Sequence, residues 1–167
     1  MKAAWTLLGI AASVAFQTTL DRWVTRGTVD LVLVVVVFTA LTSGRVAGLL
    51  TGTFAGLVQD ALSGGVIGMA GLSKTVVGFV AGIVGTQFIV AHTLSRFVVF
   101  FLATVVNAVI FMGLYQVLGL RDFGSPYAVV TAQAVGNAVM GVLVFKAVEL
   151  LPGAVERRRS RGTGIRR

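Results

Sequence analysis

Apolar residues in this chain come in runs too long for a soluble helix and too continuous for a half-buried strand. Leu31 to Phe38, "LVLVVVVF", has no polar position at all. A helix needs about 17–25 apolar residues to cross a hydrocarbon core about 30 Å thick. Read that way, the pattern predicts six membrane-spanning helices at about 3–20, 28–43, 46–62, 66–90, 97–118 and 127–150. A transmembrane barrel would instead alternate apolar and polar positions over each strand, and these runs do not alternate. The abundance of β-branched residues is no obstacle to helix in lipid, where every backbone group must bond within the chain. Only Ser43, Gly44 and Arg45 separate the second and third spans, which predicts a tight antiparallel hairpin.

A second pattern is written in glycine. Gly48, Gly52, Gly56 and Asp60 recur every fourth position of the third span, so on a helix they share one stripe. Lipid gives helices little hydrophobic reason to associate, and small residues supply close backbone packing instead. A matching face in the fourth span carries Gly71, Lys74 or Thr75, Gly78, Gly82 and Gly85. These two spans are therefore expected to pack together, and the glycine faces are candidates for helix packing or for a partner's helix. Asp60 and Lys74 are the ionisable pair farthest from the loops, and an unpaired charge at that depth costs several kcal/mol. Two structural roles for Asp60 stay open: accepting bonds from amides at the start of the fourth helix, or pairing with Lys74. A contact with a partner protein and ion or proton coupling stand beside them. Gln133, Asn137 and Gly141 form a further face in the sixth span, joined by Asn107 and Gln116 in the fifth. Intramembrane amides of this kind bond between helices or line a polar cavity.

Composition agrees with the pattern. Hydrophobic residues make up 56% of the 167 and charged ones 12%, about half the charged share of a soluble domain. The formal charge of +8 would suggest nucleic acid, but six of the arginines lie between Arg157 and Arg167 and no soluble basic domain exists to grip phosphates. The charges set a topology instead. Lys2, Arg45, Arg96, Lys146 and the tail fall on one side of the threading; Arg22, Arg26 and Arg121, balanced by Asp21, Asp30 and Asp122, fall on the other. By the positive-inside rule both termini are expected in the cytoplasm. Residues 1–152 then form the membrane domain and 153–167 a basic, disordered tail at an anionic lipid surface. Ser13, Val14 and Ala15 offer a signal-peptidase pattern, yet the apolar run continues past them, as an uncleaved first helix would.

Reactive chemistry is sparse. The chain has no cysteine and one histidine, His92, expected in a cytoplasmic turn. No paired-histidine metal site, no base for a membrane-embedded serine and no carboxylate dyad can be assembled. No enzyme, no metal and no cofactor are expected.

Gly52-x-x-x-Gly56-x-x-x-Asp60-x-x-Ser63-Gly64-x-x-x-Gly68, followed by Leu72, Lys74, Gly78, Phe79 and Gly82, resembles the core of the MreD family of bacterial rod-shape-determining membrane proteins. The likeness is strongest over about 44–85; Thr53 and Val66 depart from the family's usual aromatic residue and proline. It implies a non-enzymatic scaffold of the cell-wall elongation machinery in the bacterial inner membrane. The implied partners are the single-span MreC directly, and MreB, RodA and a class B transpeptidase through the complex. It also implies a plan shared with solute-binding subunits of energy-coupling-factor vitamin transporters, which is the rival reading; Ala11-x-x-x-Ala15 would be the docking motif there. Self-association, the helix face used for a partner, and whether a cavity holds lipid or ligand stay open.

Overall fold

The computed structural model describes residues 29–64, 66–87, 92–120, 123–124 and 126–150. Among these the chain is helical, with α1 Leu31–Ser43, α2 Arg45–Ser63, α3 Met69–Gln87, α4 Thr93–Val117 and α5 Tyr127–Leu150. The expected first span at about 3–20, the Ser13–Ala15 and Ala11–Ala15 motifs, Lys2, Asp21, Arg22, Arg26, Arg121, Asp122 and the tail 153–167 lie outside the described residues. Five of the six expected helices are thus on view.

α1 is apolar on every side, and such a helix belongs inside a bundle. Val32, Leu33, Val34, Val36, Val37 and Ala40 are all buried, because α1 packs against each of the other four helices. Its 13 residues span only about 20 Å at 1.5 Å per residue, short of the hydrocarbon thickness. A central helix surrounded by protein needs no such length. Asp30 starts it, its Oδ1 accepting from the Leu33 amide at 2.9 Å, as an N-cap does. Gly44 ends it. With φ at +90°, a value side chains resist, this single residue reverses the chain between α1 and α2.

α2 and α3 form an antiparallel hairpin joined by glycine contacts. A methyl group at Gly48 would lie 2.8 Å from the Gly78 carbonyl carbon, one at Gly52 2.6 Å from that of Lys74, and one at Gly56 2.6 Å from the Gly71 Cα. At the far end a methyl on Gly82 would meet the Arg45 nitrogen at 2.6 Å. Four residues forward on α2 is four residues back on α3, so one register holds along the whole hairpin. Thr53 and Thr75 add a hydroxyl–hydroxyl bond of 2.8 Å between the two helices. The expected packing of these spans is thus an intramolecular contact: α3 of the same chain occupies the glycine stripe.

α4 and α5 close the other side. The Phe100 ring lies over Gly141, where a methyl group would meet it at 2.5 Å. Phe145 stands edge-on to both Phe38, at 4.7 Å between centroids, and Phe100, at 6.2 Å. Leu94, Val98, Leu102, Val106 and Val109 are exposed along one side of α4, an apolar stripe suited to acyl chains rather than water. Of the described helices, α3, α4 and α5 are long and apolar enough to cross a membrane. α2 has the length, but its glycines, threonines, Gln59 and Asp60 lower its hydropathy, since one side of it faces α3 instead of lipid.

Space decides what each glycine tolerates. Gly52→Ala, pressed on the Lys74 backbone, is expected to destabilise the protein by about 1–3 kcal/mol, as overpacking does. Gly113→Ala, with nothing within 4 Å, should leave stability unchanged or raise it by up to about 1 kcal/mol. Thermal melting of detergent-purified protein compares the two, and equal melting of Gly52→Ala and the parent would contradict the close approach.

Candidate functional site

The polar residues gather near one end of the bundle, where α1 and α3 begin and α2 ends. Asp60, one turn from the end of α2, sends its carboxylate across to the start of α3. It accepts from the amides of Gly68 at 2.9 Å, Ala70 at 3.0 and 3.2 Å, and Gly71 at 3.1 Å. First-turn amides have no partner within their own helix, and the dipole there favours an anion. Gly68, at φ +104°, shapes the turn that brings these amides round. Of the two roles open from the sequence, Asp60 thus takes the first.

Lys74 does not reach Asp60. Its Nζ lies 2.7 Å from Oδ2 of Asp30, and both side chains are at least nine-tenths buried. This corrects the expectation that Asp30 is an outer-loop charge balancing nearby arginines. The Lys74 backbone is pressed to Gly52, so its side chain emerges elsewhere on α3 and meets the N-cap of α1. From Asp30 the bonding continues: its amide donates to Asn137 Oδ1 at 2.7 Å, Asn137 Nδ2 donates to Thr104 Oγ1 at 3.1 Å, and that hydroxyl donates to the Phe100 carbonyl at 2.9 Å. One chain of bonds thereby ties α3, α1, α5 and α4.

Asn107 and Gln133 sit apart from that chain, along a cavity also lined by Asp30, Gln59, Asp60 and Lys74. Gln116 is exposed and takes no part, and Gly141 serves as the seat of Phe100. At the opposite end Arg96 is buried, its Nη2 2.7 Å from Glu149 Oε1 and its guanidinium 4.4 Å from the Phe145 ring centre. His92 is the exposed residue just before α4.

Asp30, Thr104 and Gln59 were missed from the sequence. Asp30 carried a usable signal, an acid immediately before a continuous apolar run, hidden by its grouping with loop charges. Thr104 carried none. Among the described residues no three His, Cys, Asp or Glu side chains are placed to hold a metal ion. The buried carboxylates of Asp30 and Asp60 are committed to helix ends and to an ammonium, an arrangement that fastens helices together.

Fold and site together define a polytopic helical membrane protein held by glycine contacts and a buried polar layer. The model of the rod shape-determining protein MreD matches residues 4–152, nearly the whole chain, and the chain belongs to that family. No curated protein and no solved structure matches, so the likeness in plan to energy-coupling-factor transporter subunits has no structural match behind it.

Breaking a buried pair by removing one partner strands a charge, at a cost of about 3–5 kcal/mol. Lys74→Met is therefore expected to deplete folded protein sharply, while Asp30→Asn with Lys74→Met, which keeps a capping side chain, recovers part of it. Asp60→Asn turns an amide NH2 toward the α3 amides and should cost about 1–3 kcal/mol. Monodisperse protein recovered by fluorescence-detected size exclusion reads all three; a double variant no better than Lys74→Met would refute the pairing.

Proposed function

We propose that this chain is a non-enzymatic scaffold of the cell-wall elongation machinery, bound directly to MreC and through it to MreB, RodA and a class B transpeptidase. Membership of a rod-shape-determining family over residues 4–152 is the observation that carries this reading. The architecture supports it. The described chain is nearly all helix, with a single residue between α1 and α2, so contact surface is confined to lipid-facing sides, short turns and termini.

Arg45, Arg96 and Lys146 lie toward the end opposite Asp30 and Asp60. We place that basic end in the cytoplasm of the bacterial inner membrane, following the positive-inside rule. Residues 3–20 then supply a sixth helix and 153–167 a tail at the cytoplasmic lipid surface.

The glycine stripe is occupied by α3, so the MreC helix must use another face. α2 stands at the edge of the bundle, packed only on α1 and α3 among the described helices. Val46, Leu50, Phe54 and Leu57 rise from it as an exposed apolar ridge, the i, i+4 and i, i+3 spacing that a partner helix reads.

Affinity purification from native membranes should recover MreC with this chain, and its absence would overturn the proposal. Leu50→Ala with Phe54→Ala should lower MreC recovery severalfold without reducing folded protein; undiminished recovery would place the contact on another face. Glycine substitutions cannot serve here, because they disturb the hairpin itself. An alkaline phosphatase fusion after Arg121 should be active, and an inactive one would reverse the assigned sides.

A further inference from the structure

The cavity at the Asp30 end has a volume of about 250 Å3 and lies among α2, α3, α4, α5 and Phe123. Two of its lining residues carry unsatisfied acceptors. Gln59 Oε1 and Asn107 Oδ1 are buried without any hydrogen-bond partner, and Asn107 is only 8% exposed. A buried amide oxygen left unpaired costs about 1–3 kcal/mol, and buried polar atoms normally find partners. Two orphaned amides beside one cavity therefore point to an occupant toward which each side chain can turn its oxygen to accept a hydrogen bond.

The surrounding charges narrow its chemistry. Asp60 is engaged by three backbone amides and Asp30 by Lys74 and the Leu33 amide, so neither carboxylate is held open for a cation. An anion fares no better, since the ammonium of Lys74 is already countered and Asp60 stands nearby. Lys74 nevertheless has three N–H donors and spends one on Asp30. The occupant must both accept and donate while remaining neutral, and a hydroxyl does so through one atom. Phe111 and Phe123 give the apolar walls that the C–H faces of a polyol need. The volume equals that of on the order of eight waters at about 30 Å3 each, enough for one sugar ring or a glycerol and too small for an oligosaccharide.

We propose that this cavity binds a neutral polyhydroxyl group, held by Gln59, Asn107, Gln133 and Lys74. Lys74 and Gln133 lie five and six residues into their helices, roughly 8–9 Å from the ends at 1.5 Å per residue. Both a lipid headgroup and a free solute can reach that depth.

The test uses the full chain in nanodiscs, first of phosphatidylethanolamine doped with monoglucosyldiacylglycerol, then of phosphatidylethanolamine alone with free glucose or glycerol added. Native mass spectrometry counts bound molecules. A glucosyl-lipid adduct without a free-sugar adduct assigns the headgroup source, and an adduct with free glucose or glycerol assigns the soluble one. Asn107→Leu and Gln59→Leu should each weaken the adduct at least tenfold. Both replace an unpartnered amide by an apolar group of similar size, so melting temperature should hold or rise, which separates lost binding from lost fold. No adduct with any probe would overturn the proposal and leave a cavity that holds water only; undiminished binding in both variants would overturn it by placing the sugar elsewhere, and phosphatidylethanolamine retained as strongly as the glucosyl lipid would overturn it by showing no preference for a polyhydroxyl group.

Discussion

Along the α2–α3 hairpin the two backbones lie closer than any side chain permits. Lipid offers almost no hydrophobic gain when two apolar helices meet, so attraction must come from dispersion across many atom pairs at short range. Glycines on both helices create that range and hold it from Gly82 against Arg45 to Gly56 against Gly71. A constant register follows, and the register positions the charges. Asp60 arrives at the α3 amino terminus because Gly56 seats on Ala70 and Gly71, and Lys74 is turned toward α1 because its backbone is spent on Gly52. A slip of one residue would rotate both charges away from their partners.

The second constraint is the absence of water. Buried polar groups therefore depend on protein partners, and apart from the two amide oxygens beside the cavity the satisfaction is distributed so that every described helix contributes. α2 gives a carboxylate to α3, α3 an ammonium to the cap of α1, and α1 an amide to Asn137 of α5, which in turn donates to Thr104 of α4. Buried ion pairs add little net stability once desolvation is counted. What they fix is arrangement, since any alternative packing of these helices strands a charge in a low-dielectric interior. The short α1 becomes intelligible in that light, because its charged start needs the Lys74 level of the bundle and not the lipid surface.

Much of this was written plainly in the chain. The extents of the later helices and the glycine faces follow from periodicity, and the place of Asp60 just before a helix start made amide capping one of the roles open to it without choosing that role over pairing with Lys74. The pairing of Lys74 was not legible. Proximity in sequence favoured Asp60, whereas the partner is 44 positions away and depends on α1 lying at the centre with its start beside Lys74; an all-round apolar run permits that centre but does not name the neighbour. Asn137 could be picked out as polar within an apolar run; that it accepts from the amide of Asp30 could not. The same limit applies to α2, whose diluted hydropathy records which side faces protein. Gln59 and Asn107 lie on helices of different hairpins, and only assembly brings them to one cavity.

That cavity sits between two described helices that do not touch. α2 and α4 do not pack directly on each other, yet Gln59 belongs to one and Asn107 to the other, and both lack partners. Among the described helices, the glycine hairpin and the α4–α5 pair are therefore linked only through α1 and α3, with a polar gap between α2 and α4. An occupant bonded to both amides would bridge the gap and stiffen one half of the molecule against the other. Its binding free energy would add to the stability of that arrangement over any in which the halves separate. Under the proposed function, in which the outer ridge of α2 meets a partner helix, that ridge would be presented at a more sharply defined angle when the bridge is filled.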